Sequence, residues 1–143
     1  MNREELKKYH KDNNYSCVLL KDGQAYMTSF EKGVAPLYNL IKSADKLPQG
    51  NIEIADKIIG RAVAFLAIYL NASYIYTNVI SETALDVLKN YDIEIEYNEV
   101  VPYIFNRNRD GQCPMEKALE NISDSEDAFK IIDEFKQRTM KKN

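Results

Sequence analysis

The chain has two cysteines, Cys17 and Cys113, and a single histidine, His10. Two cysteines so far apart imply no disulfide framework and make no finger or ribbon spacing for zinc. Charge of one sign is also scarce: a formal net charge of -3 over 143 residues gives no global pull towards nucleic acid or an anionic membrane. The clusters Lys7, Lys8, Lys11 and Lys136, Arg138, Lys141, Lys142 read as solvated helix faces and a frayed tail. Long hydrophobic runs are missing too. The longest, Ala62 to Leu70, falls far below the ~20 residues of a membrane span, and the charged start Met1 to Lys8 lacks a signal core. A cytoplasmic location is the expectation, under which the Asn-x-Ser matches at Asn14, Asn71 and Asn121 carry no meaning. Neither an internal repeat nor a low-complexity segment is visible.

What is present is a core. With 45% apolar and 29% charged residues, the composition is that of a single globular domain. From Ala55 to Leu70, residues Ile58, Ile59, Ala62, Val63, Phe65, Leu66, Ile68, Tyr69 and Leu70 cover most of a helical circumference and predict a buried helix, with Gly60 inside it for close packing. Tyr74 to Ile80, rich in Tyr, Ile, Thr and Val with both faces largely apolar, predicts an interior strand. Ser81 suits the N-cap of a following helix from Glu82 to Tyr91, and Glu82 lies favourably near its positive end.

Around this unit, Asn2 to Asp12 reads as a polar surface helix. Ser16–Lys21 and Gln24–Ser29 flank Asp22-Gly23, a two-residue hairpin signal because both turn positions need positive φ. Pro36 opens a short helix to Ala44. Ile93 to Tyr97 alternates apolar and acidic residues like a half-exposed strand, and the crossover length makes it parallel to Tyr74–Ile80. Val100 to Phe105 reads as a short helix, Cys113-Pro114-Met115-Glu116 opens another to about Asn121, and Ser123 or Asp124 caps a last amphipathic helix carrying Ala128, Ile131, Ile132 and Phe135. The sum is an α/β domain: a mixed sheet, an N-terminal hairpin plus parallel strands, with helices on its faces.

Several blocks then stand out in order: Ser16-Cys17-Val18 with Asp22-Gly23, Gly33-x-x-Pro36-Leu37, Ala55-Asp56-Lys57-x-x-Gly60-Arg61-Ala62-x-Ala64, Val79-Ile80-Ser81-Glu82-x-Ala84-Leu85, Asn106-Arg107 and Cys113-Pro114-Met115-Glu116. Together, over roughly Ser16 to Asn121, they resemble a family of prokaryotic proteins, a domain of unknown function with a three-layer cytidine-deaminase-like fold. That resemblance implies architecture and no established activity. Zinc deaminases hold their metal with a His or Cys at one helix start and Cys-x-x-Cys at the next. The matching starts here, Ala55-Asp56-Lys57 and Ser81-Glu82-Thr83-Ala84, supply neither, so the expectation is a protein with no metal and no cofactor.

In place of the metal ligands stand polar residues. On the functional reading Asp56, Lys57, Ser81 and Glu82 line a small-ligand pocket: Lys57 and helix N–H groups take an anionic or carbonyl group, while Asp56 and Glu82 accept hydrogen bonds or move protons. On the structural reading Ser81 and Glu82 cap, and Asp56 pairs with Lys57 or Arg61 on the surface. Asn106 and Arg107, with Arg109, are either phosphate clamps on the pocket rim or a solvated loop. Cys113, placed as N-cap with Glu116 at the third helical position, is either a thiol activated by helix N–H groups and nearby arginines or a small residue completing a cap; on the functional reading Cys113 and Glu116 join Asn106 and Arg107 as ligand-binding candidates. Tyr74 and Tyr76 share a strand face and either stack a base or pack in the core. Two functions follow: binding of a small nucleotide-like or anionic ligand, or a non-catalytic interaction or homo-oligomerisation domain that kept the fold and lost its chemistry.

Overall fold

The structure, a computed structural model, describes residues 1–104 and 113–141. It runs α1 (Arg3–Asp12), β1 (Cys17–Lys21), β2 (Gln24–Ser29), α2 (Ala35–Ser43), β3 (Ile52–Ile59), α3 (Arg61–Tyr69), β4 (Ala72–Ser81), α4 (Glu82–Leu88), β5 (Glu94–Val101), α5 (Pro114–Ala118) and α6 (Ser125–Lys141). The sheet order is β2-β1-β3-β4-β5. β1 is antiparallel to both β2 and β3, whereas β3, β4 and β5 are mutually parallel. The mixed sheet expected from the sequence is therefore the one observed.

The expected helix over Ala55–Leu70 is corrected. Its first part is the tail of β3, and the helix starts only after Gly60. β3 sits in the middle of the sheet and is buried from Ile52 to Asp56 on both faces, so its apolar residues run on rather than alternate, and periodicity cannot separate such a strand from a buried helix. Gly60 marks the break as the N-cap of α3. Val100 and Val101 complete β5 instead of opening a helix, and Phe105, at the far end of that expected helix, lies outside the described residues. α4 and α5 stop at Leu88 and Ala118, short of Tyr91 and Asn121.

The hairpin forms as expected: Asp22 and Gly23 have φ of 49° and 80°, the left-handed values a two-residue loop demands. Asp22 also accepts a hydrogen bond from the Asn51 amide at 2.9 Å, tying the turn to the start of β3.

Two apolar layers clamp the sheet. On one face α2, α3, α4 and α6 close over Leu19, Ile54, Ile75 and Ile80 with Leu37, Phe65, Leu66, Leu88 and Ile132. On the other, α1 alone covers Val18, Leu20, Ala55 and Tyr74 with Leu6, so this helix is seated on the core rather than lying loosely on the surface. A capping box at Asn2 and Glu5 starts it. Arg3 reaches Glu94 at 2.5 Å and Lys7 pairs with Glu96, both on β5. The Arg3 guanidinium lies 4.2 Å from the Tyr74 ring centre, and Lys7 and His10 approach the Tyr76 ring. Those rings are thus spent on α1 packing.

Candidate functional site

Parallel strands deliver their carboxyl ends to one edge of the sheet, where β3 and β4 hand over to α3 and α4, and ligands of open α/β sheets gather at that edge. A row of polar side chains crosses it. Cys17 of β1 is in register with Asp56 of β3, which is in register with Thr77 of β4. All are buried, with Cys17 and Thr77 fully so and Asp56 6% exposed. Asp56 Oδ1 accepts from the Ile58 amide at 3.2 Å, the Cys17 thiol lies beside the carboxylate, and the Lys57 amide donates to the Ser16 carbonyl oxygen at 3.0 Å. Among the described residues no cation forms an ion pair with Asp56. Burial dominates over hydrogen bonding at the carboxylate and pushes the Asp56 pKa up to about 7. The expected surface pairing of Asp56 with Lys57 or Arg61 does not occur.

Lys57 follows Asp56 in the chain and therefore faces the other side of the strand. Its Nζ donates to Asn14 Oδ1 at 2.7 Å, just beyond α1. Nearby His10 is buried with Nε2 3.2 Å from the Ser16 carbonyl oxygen. Burial holds its pKa below the ordinary value, and the Lys57 charge adds to the effect.

At the start of α4, Ser81 is a true N-cap: its Oγ accepts from the Ala84 amide at 3.0 Å and lies 2.8 Å from Thr83 Oγ1. Glu82 points outwards into a groove of about 410 Å³ between α4 and β5, shared with Leu85, Asp86, Lys89 and Ile95. Ser81 ends β4 four residues beyond Thr77 and Glu82 opens α4, so both lie further along the strand direction than the Asp56–Thr77 row, and Lys57 is turned away from that row.

The start of α3 is occupied by a residue far along the chain. Glu116 is 3% exposed, and its two carboxylate oxygens accept from the amides of Arg61 at 2.6 Å and Ala62 at 2.8 Å. Arg61 is itself buried and donates from its guanidinium to carbonyl oxygens, Nε to Leu119 at 2.7 Å, Nη2 to Ile122 at 2.7 Å and Nη1 to Thr83 at 3.1 Å, with Nη1 also 3.8 Å from Asp86 Oδ2. Burial raises the Glu116 pKa, opposed by the two amides and the Arg61 charge. Glu116, expected as a first-turn acid of α5 and a candidate ligand-binding residue, is engaged by the α3 amides. Cys113 is the N-cap of that helix, but its sulfur makes no capping hydrogen bond, which corrects the expected thiol facing helix N–H groups. Asn106 and Arg107, like Arg109, lie outside the described residues.

Sequence reasoning missed Thr77, Cys17, Gly60 and Arg61. Only Gly60-Arg61 carried a signal, a helix-breaking glycine before a charged residue within an apolar run.

A mixed five-stranded sheet with helices on both faces and polar residues at the ends of its parallel strands defines a deaminase-like α/β domain. The chain belongs to the family described as Domain of unknown function (DUF1893), whose profile matches residues 5–136. It is similar to the crystal structure of a DUF1893 family protein from Thermotoga maritima, at 25% identity and a TM-score of 0.81, with 92% of this chain and 90% of that one covered. It also shares its fold with the apo dCMP deaminase of cyanophage S-TIM5, at 13% identity and a TM-score of 0.52, over 68% of this chain and 99% of that one. No curated protein matches it.

The donor set does not fit a deaminase zinc centre. The helix starts that follow β3 and β4 read Gly60-Arg61-Ala62 and Ser81-Glu82-Thr83-Ala84, without the His or thiolates such a centre needs. Among the described residues no group of three or more His, Cys, Asp or Glu is placed to hold a metal ion.

Proposed function

We propose that the protein binds a small nucleotide-like or anionic ligand, without a metal, at the carboxyl ends of β3 and β4. Asp56, Thr77 and Ser81 form the floor of this site, Glu82 its outer edge, and Asn106 and Arg107 come from the connection between β5 and α5. The observation that carries the reading is Asp56. A buried carboxyl with no cation paired to it among the described residues costs stability, and burial places its pKa at about 7, where it can donate or accept a proton on demand. The nucleotide class comes by analogy with the dCMP deaminase that shares the fold.

The test is a thermal-shift series with nucleosides, nucleotides, phosphate and small carboxylates on the wild type and Asp56→Asn. A ligand of the site raises the wild-type melting temperature by mass action and loses that effect in the variant. No shift with any member removes this reading. It would favour a non-catalytic interaction domain, to which one observation already speaks: the amides that open α3 are satisfied by the chain itself.

A further inference from the structure

We infer that the start of α3 is a carboxylate-binding site that the chain fills with its own Glu116, and that Gly60, Glu116 and Arg61 form one lock holding the α5 segment across the end of the sheet. The inference does not depend on the ligand proposal above. Three observations converge on it. The first amides of a helix are unsatisfied donors at the positive end of its dipole, and a bidentate carboxylate suits both properties. Here each Glu116 oxygen takes one of them, from Arg61 and Ala62. The place before the helix is also shaped for the group. A Cβ on Gly60 would lie 2.5 Å from Ile104 Cγ1 and 3.0 Å from Glu116 Cδ, and closer still to Glu116 Oε1. Gly60 has φ of -98°, which any residue adopts, so space and not backbone conformation calls for glycine here.

The third observation is Arg61. Its side chain runs back beneath the same segment and donates to Leu119 and Ile122, the residues that lead from α5 to α6, and to Thr83 in α4. The main chain of Arg61 thus holds the front of the segment through Glu116, and its side chain holds the rear. The buried charges of Glu116 and Arg61 offset each other without direct contact. A ligand carboxylate or phosphate at this helix start would meet amides already taken.

The lock predicts chemical rescue. Glu116→Ala removes the carboxylate and leaves two helix amides and a vacated space of matching chemistry. Its melting temperature should fall by roughly 5–10 °C, and sodium acetate should restore part of the loss relative to sodium chloride at equal ionic strength, with no acetate-specific gain in the wild type. A variant as stable as the wild type, or equal responses to acetate and chloride, would overturn the inference. Should Glu116→Ala fail to fold in either salt, Glu116→Gln and Gly60→Ala decide the matter by hydrogen exchange. The lock requires faster exchange at the Arg61 and Ala62 amides in both, and wild-type protection there would sink it.

Discussion

Asp56 and Lys57, neighbours in the chain, serve opposite faces of the sheet: the carboxyl packs beside the Cys17 thiol in the buried row, and the ammonium reaches Asn14 beyond α1. The backbone alternation of a strand separates them, where a helix start would have kept both at one end. Their electrostatics differ accordingly, with Lys57 exposed and Asp56 buried, without an ion pair among the described residues.

The pH dependence of stability should report Asp56 directly. An unfolded aspartate titrates near about 3.9, whereas the folded one is pushed up to about 7. Between these values the folded state keeps a proton that the unfolded state has released, so stability falls as pH rises, by up to about 1.4 kcal/mol per pH unit. Below the window the group contributes no penalty, and above it the penalty is complete. Asp56→Asn should therefore be more stable than wild type at pH 8, with the gap closing towards pH ~4. Denaturant unfolding of both proteins at a series of pH values checks this; a pH-independent gap would show that Asp56 does not titrate in that window.

Ser81 separates capping from binding. Ser81→Ala removes the acceptor of the Ala84 amide and should cost about 1 kcal/mol. A Ser81→Asp variant, which retains a capping oxygen, should recover much of that in urea titrations if capping is the whole of the role. If Ser81 also serves a ligand, affinity falls in Ser81→Ala even under conditions where both proteins are fully folded.

The hairpin turn gives the third prediction. Gly23→Val forces a β-branched residue to φ near 80° and brings its Cβ to 3.4 Å from the Met1 amino nitrogen. A loss of about 1–2 kcal/mol is expected, measured by chemical denaturation, and an unchanged midpoint would remove the turn from the account of stability.

How much of this was legible in the sequence depended on the range of the interaction involved. The Asp22-Gly23 turn, the Ser81 cap, the capping site before α6 and the alternation in β5 are written by residues a few positions apart, and their chemistry is complete within that span. Asp124 Oδ2, for example, accepts from the Asp127 amide at 3.1 Å. The parallel pairing of β4 and β5 was also readable, because the length of a crossover restricts the topology that the chain can form.

Tertiary structure alone decided the rest. Whether Ile52 to Ile59 became helix or strand turned on β1 and β4 arriving on either side of it to satisfy its main chain, because a segment buried on both faces has lost the polar alternation that marks a strand. The upward shift of the Asp56 pKa follows from its burial in that central strand and is invisible in its neighbours Ala55 and Lys57. Glu116 and Arg61 lie 55 positions apart, a separation at which no local pattern operates. What the sequence by itself determined were the turns, caps and amphipathic faces, since those bonds close locally. The candidate site came from folding, since buried groups such as Asp56 and Glu116 acquire shifted affinities for protons only when distant strands and helices exclude water around them.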